Sequence, residues 1–135
     1  MEKLPVMNKE EFEKRLSDGK YVVEFKADWC PDCSFIKPHL PAIEADFPEY
    51  QFLQVDREEN LDLFRELNVF GIPSFIVYEN GREVDRLVNK ARKTKEEVEN
   101  FIQNAIKWKY EDSVMAQVVG IISLLAILFS LIVKV

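Results

Sequence analysis

Histidine occurs once and cysteine twice in the 135 residues, so a structural zinc site, which ordinarily takes four ligands, lacks them within one chain. Glycine occurs four times, and the chain has no Gly/Ser-rich linker or internal repeat, which excludes collagen-like and low-complexity arrangements. Positive charge is in deficit. The 18 Lys and Arg stand against 24 Asp and Glu, a net charge of −6, which argues against phosphate-backbone binding as the main activity. Nucleic acid is not an expected partner. The start, Met1-Glu2-Lys3-Leu4-Pro5, runs into Asn8-Lys9-Glu10-Glu11 without an apolar stretch, so a cleavable secretory leader is not expected there.

The most informative absence lies at the other end. No acidic residue follows Asp112, and residues 113–133 carry no charge at all before Lys134. At about 1.5 Å of rise per residue, such a helix reaches roughly 31 Å, the hydrocarbon thickness of a bilayer. Trp108 and Tyr110 stand where an interfacial aromatic belt belongs. The sequence therefore divides into a globular part, 1–112, and a C-terminal transmembrane anchor, 113–135. Lys107, Lys109 and a basic run over residues 90–95 precede the span and only Lys134 follows it, so the positive-inside rule puts the globular part in the cytosol.

Within residues 1–112, Asn8 and Glu11 form a capping-box start for a short helix carrying Phe12 and Leu16, with Gly19 at its C-cap. Tyr21-Val22-Val23-Glu24-Phe25 reads as a buried strand. Phe35, Ile36, Leu40, Ile43 and Phe47 recur at helical spacing after Pro31, and Pro38 predicts a kink in that helix. Residues 51–55 read as a strand, 58–67 as a helix, and 74–78 as a strand. Asn80-Gly81 closes a hairpin onto 82–88. A short additional strand is weakly signalled at 3–6. Thr94 and Glu97 start a last helix, buried through Val98, Phe101, Ile102, Ala105 and Ile106. This order predicts an α/β fold, a mixed central sheet flanked by helices.

Cys30 and Cys33 sit two residues apart at the predicted strand-to-helix junction, a redox context. A thiolate at Cys30 faces the unpaired N–H groups and positive end of the helix, which favour the charged form. Cys33, one turn inside, can resolve a mixed disulfide. A structural disulfide, two inert core thiols or half of a zinc site are the alternatives for the pair. Trp29 beside it reads as an aromatic wall or as core. His39 has no companion ligands and reads as a partly exposed helical residue.

The segment Val23-Glu24-Phe25-Lys26-Ala27-Asp28-Trp29-Cys30-Pro31-Asp32-Cys33, together with Pro38 and Gly71-Ile72-Pro73-Ser74, resembles the thioredoxin family over nearly all of residues 1–112. The resemblance implies the thioredoxin fold, with Cys30 as attacking and Cys33 as resolving cysteine. It further implies a cis Pro73, backbone hydrogen bonds from Ile72 to an extended substrate strand, and Trp29 at the substrate. Glu24 falls where the family has a buried aspartate and is the expected general base, with a solvent-facing strand glutamate as the alternative.

Departures from the family bear on tuning. The pair is joined by Pro31 and Asp32, and the Asp32 charge opposes part of the helix-dipole effect. Phe52 replaces a lysine near the buried acid, and Asn89-Lys90-Ala91-Arg92-Lys93 replaces a glycine-containing docking loop. The resemblance implies protein disulfides as substrates, thioredoxin reductase or another dithiol donor as partner, no bound cofactor and no metal. A cytosolic domain is expected to act as a reductase. A membrane-bound redox sensor or interaction module, and an outward-facing oxidase or isomerase, are the competing readings.

Overall fold

The computed structural model describes residues 1–134. The elements run β1 (Glu2–Lys3), α1 (Lys9–Arg15), β2 (Lys20–Lys26), α2 (Pro31–Ile36), a 3-10 turn (Lys37–His39), α3 (Leu40–Asp46), β3 (Gln51–Asp56), α4 (Leu61–Glu66), β4 (Ser74–Glu79), β5 (Arg82–Leu87) and α5 (Lys95–Val133). The sheet order is β1-β3-β2-β4-β5. β1, β3 and β2 are parallel, while β4 and β5 are antiparallel to their neighbours. This is the expected mixed sheet.

Local chemistry sets most boundaries. Asn8 Oδ1 accepts from the Glu11 N–H at 2.8 Å and Glu11 Oε1 accepts from the Asn8 N–H at 3.3 Å, closing the capping box of α1. That helix ends at Arg15, short of Gly19. Gly19, at φ +108°, instead exchanges two hydrogen bonds with Asn80, whose own φ of +50° opens the hairpin turn. Pro38 breaks the second helical stretch into α2, a 3-10 turn and α3, as its missing N–H requires. The helix expected over 58–67 is confined to Leu61–Glu66, because Asp56 first binds the Glu58 and Asn60 N–H groups in a turn. The weak N-terminal strand forms at Glu2–Lys3, slightly before its expected range.

Alternation along β2 divides its side chains between two faces. Tyr21, Val23 and Phe25 join Phe12, Leu53, Val55, Phe64, Ile76 and Tyr78 in one buried cluster. Phe25 meets Phe64 edge-on at 5.2 Å between centroids, a geometry that adds about 1 kcal/mol to their burial. Val22 and Glu24 occupy the opposite face. Phe35, at helical spacing with the buried Ile36, Leu40, Ile43 and Phe47, is itself 41% exposed.

Two compact units divide the chain, Met1–Gln103 and Asn104–Val135. The second contains an apolar helical stretch with a mean hydropathy of 2.6, none of it buried by protein. It is long and apolar enough to cross a membrane.

Candidate active site

β2 delivers Glu24, and the loop after it delivers Trp29 and Cys30. Cys30 is the N-cap of α2: its Sγ accepts the Cys33 N–H at 3.2 Å. Pro31 takes the first helical position, where no N–H is needed. The sulfur thus holds one of the orphan donors that begin any helix. Both cysteines are unbridged and nearly buried, 5% and 6% exposed. They pack with Ala27 and Ile72. Cys30 Sγ lies 4.0 Å from the carbonyl oxygen of Ile72, and the Ile72–Pro73 bond is cis. Gly71 before it has no room for a side chain, since a Cβ would lie 2.2 Å from the Asn89 carbonyl oxygen.

The interior side of the dithiol is a cavity of about 110 Å³ lined by Glu24, Cys33, Gln54, Lys26, Lys37 and others. That volume admits water. Glu24 is 2% exposed, so the solvent-facing alternative is excluded. Parallel pairing sets Gln54 directly beside Glu24, and Gln54 Nε2 donates to Glu24 Oε1 at 2.9 Å. Burial pushes the Glu24 carboxyl up to about 7, against the opposing pull of Gln54 and the charges of Lys26 and Lys37. Burial, followed by side-chain hydrogen bonding with Cys30, also raises the Cys33 thiol. A thiol reluctant to ionise thus shares a cavity with a carboxyl that exchanges protons near neutrality.

The exterior side is different. Trp29 is 61% exposed and donates its Nε1–H to Glu58 Oε1 at 2.8 Å; it is therefore not core. With Cys30, Val69, Phe70 and Ile72 it lines an open cleft of about 350 Å³. The Asp32 charge, expected to oppose part of the helix-dipole effect, has a partner of opposite sign. Arg92 Nε donates to its Oδ1 at 2.8 Å, and the Arg92 guanidinium lies 4.5 Å from the centroid of the Phe35 ring. The exposed Phe35 ring thus has Arg92 as a partner over its face. Phe52 is buried on the Glu24 face, and Gln54, which the sequence reading missed, makes the contact to the acid.

Lys93 was also missed. It is 1% exposed, and its Nζ donates to Asn89 O, Asn89 Oδ1 and Ala91 O. A lysine inside a basic run gives no sign of burial; only the loop's own carbonyls reveal it. Burial lowers its pKa, opposed by the charges of Cys33, Glu97, Asp32 and Cys30. His39 is exposed in the 3-10 turn. Among the described residues, no group of three or more His, Cys, Asp or Glu side chains is arranged to hold a metal.

Comparisons with known proteins agree with this geometry. The thioredoxin family model matches residues 3–104. An H-type thioredoxin of Fagopyrum esculentum is 38% identical over 85 residues, covering 62% of this chain and 72% of that protein. A thioredoxin of Chlamydia trachomatis is 31% identical over 83 residues, covering 62% and 81%. Among solved structures, oxidised mitochondrial thioredoxin 3 of Saccharomyces cerevisiae superposes with a TM-score of 0.66 at 26% identity, covering 77% of this chain and 94% of the other. The family match over residues 3–104 falls on the domain that carries the N-capping thiol, its partner one turn on and the cis proline, and the chain belongs to the thioredoxin family of thiol–disulfide oxidoreductases.

Proposed function

We propose that this chain is a membrane-anchored protein-disulfide reductase, with a catalytic domain over 1–112 at the cytosolic face and an anchor over 113–135. The observation that carries the chemistry is Cys30 at the N-cap of α2, its sulfur on the Cys33 N–H beside the cis Ile72–Pro73 bond. The Cys30 thiolate attacks one sulfur of a target disulfide, and the other target sulfur leaves as a thiolate. Cys33 then loses its proton to Glu24 through the shared cavity and attacks Cys30 Sγ. The second target thiolate departs, and the electron pair delivered to the target leaves a Cys30–Cys33 disulfide behind. A dithiol donor such as a thioredoxin reductase restores the pair.

In this reading Trp29, Ile72 and Pro73 form the substrate rim. Pro31 and Asp32 tune the attacking sulfur. The charge-free stretch 113–133 and the lysines before it support the anchor and its orientation. A tether of this kind raises the effective concentration of the dithiol for targets at the same membrane.

The test is a Cys33→Ser variant of the full chain expressed in cells, which stalls at the mixed disulfide on Cys30. Captured proteins with cytosol-facing cysteines, absent with Cys30→Ser, Cys33→Ser, are the expected result. A correctly inserted, reduced protein that captures nothing under oxidative challenge points instead to a sensor without turnover. Protease protection of the domain in sealed vesicles would reverse the orientation.

A further inference from the structure

The cleft beside Cys30 continues into a second of about 340 Å³, and the two share Arg57, Phe64, Val69 and Phe70. Phe70 is 68% exposed at this junction. The charges along the joined groove are unlike those of the chain as a whole, which is −6 overall. Lys90 and Arg57 line the first cleft, and Arg57 and Arg65 the second, where Arg65 also meets the exposed Asp62 at 3.8 Å. The one acid lining the first, Asp32, is already held by Arg92. Glu58 nearby is engaged by Trp29 and by Arg57, the latter at 3.5 Å. Lys90 makes no ion pair or side-chain hydrogen bond among the described residues. The groove that leaves the attacking sulfur is thus apolar beside Cys30, and the side chains lining it include three cations, Lys90, Arg57 and Arg65, against the single acid Asp32, with Glu58 and Asp62 at its edge.

We infer that this groove selects target disulfides whose cysteine lies in an extended segment bearing acidic side chains, with an apolar side chain to cover Phe70. The inference rests on the reductase reading and names the substrate class for the same site. Charge complementarity is the ground for it. Local cations within a few ångströms of a docked segment act at distances below the Debye length, whereas the net negative field of the chain acts over longer ones and favours the opposite, a basic partner. A preference for acidic segments therefore has its source in the groove.

The test uses the full chain, reduced beforehand and held in nanodiscs of uncharged phosphatidylcholine. Its single-turnover reduction is followed on three disulfide-linked peptides. They are identical, each with one Leu near the cysteine, except that the flanking polar positions are all Glu, all Gln or all Lys. The expected order is Glu over Gln over Lys, with about a tenfold spread between the extremes at low ionic strength that collapses in about 0.5 M salt. In the variant Arg57→Glu, Lys90→Glu the ratio of Glu-peptide to Lys-peptide rates falls below one. Because each protein is judged by its own ratio, an overall loss of activity does not mimic this result. Equal rates on all three peptides, a Lys preference, or a spread that survives high salt overturns the inference and leaves the reductase reading standing. An unchanged ratio in the double variant overturns the assignment to these cations. Reduction of none of the peptides, nor of a small aromatic disulfide, overturns both readings together.

Discussion

Cys33 faces a narrow, partly open pocket of about 110 Å³ with a buried carboxyl in its wall, whereas Cys30, one helical turn away, borders a wider cleft of about 350 Å³ lined by exposed aromatics. The inner region has the features of proton handling: low exposure, a carboxyl held by one amide, and room for water. The outer one has the features of recognition: exposed Trp29 and Phe70, flanked by cations. One hydrogen bond, Cys33 N–H to Cys30 Sγ, joins the two. A single turn of helix thus separates the sulfur proposed to meet a target from the one proposed to release it.

Removing the attacking sulfur gives the largest effect. Cys30→Ser is expected to drop disulfide reduction to the uncatalysed background, because no other thiol borders the outer cleft. Cys33→Ser is expected to spare the first attack and abolish release. Mass spectrometry of the protein after mixing with an oxidised peptide distinguishes them: no adduct in the first, a stable one-to-one adduct in the second. Equal adduct formation by both variants would erase the division of labour between the two regions.

Glu24→Gln probes the inner region alone. Resolution of a preformed mixed disulfide is expected to slow by about 10²-fold at pH 7, at the lower end of what a positioned base contributes. The wild-type rate should rise as pH passes through about 7, where Glu24 loses its proton, and that step should vanish in the variant. Stability carries the same signature with a definite sign. A carboxyl raised from 4.5 to about 7 binds more protons folded than unfolded between those values, so the protein loses stability as pH rises through that window. Glu24→Gln abolishes this loss, and urea titrations should show it gaining about 3 kcal/mol on wild type between pH 4.5 and 8.

The sequence made the inner region more legible than the outer. Strand periodicity, Pro31, Pro38 and the two-residue spacing of Cys30 and Cys33 are local signals, and each reappears in the fold. Glu24 could be placed on β2 by the same means. Its partner Gln54 could not, because the contact depends on strand register, with β2 and β3 paired Glu24 to Gln54. The outer region depends on contacts between distant segments. Arg92 reaches back 60 residues to Asp32, and Gly71 abuts the backbone of Asn89. The settings of Phe35 and Gly19 share that origin, since both residues are claimed by long-range partners, Arg92 and Asn80.

Lys93→Met tests whether the loop at 89–93 is part of the rim. The substitution removes the ammonium that ties Asn89 and Ala91 together, and the freed carbonyls can turn to solvent. A loss of about 1–2 kcal/mol is expected from denaturant midpoints. Hydrogen exchange should quicken at 89–93 and, through the tight contact with Gly71, at Ile72. Faster exchange confined to 89–93 would show that the loop stands apart from the cis-proline turn.

The smallest effect is expected at Arg92, where the argument turns on charge and not on stability. Arg92 and Asp32 are 56% and 32% exposed, so their ion pair contributes less than about 1 kcal/mol to folding. Its removal nonetheless leaves the Asp32 carboxylate unbalanced in the cleft that Cys30 lines, where it repels an anionic reagent approaching the sulfur. Arg92→Gln is expected to slow alkylation of Cys30 by the anionic reagent iodoacetate about two- to threefold at neutral pH and low salt, with the deficit shrinking as salt screens the interaction. Adding Asp32→Asn removes the uncompensated charge, so the double variant should recover the wild-type rate or exceed it. A deficit in Arg92→Gln that persists in the double variant would assign Arg92 to packing on Phe35, and the electrostatic balance of the outer region would then rest on Arg57 and Lys90 alone.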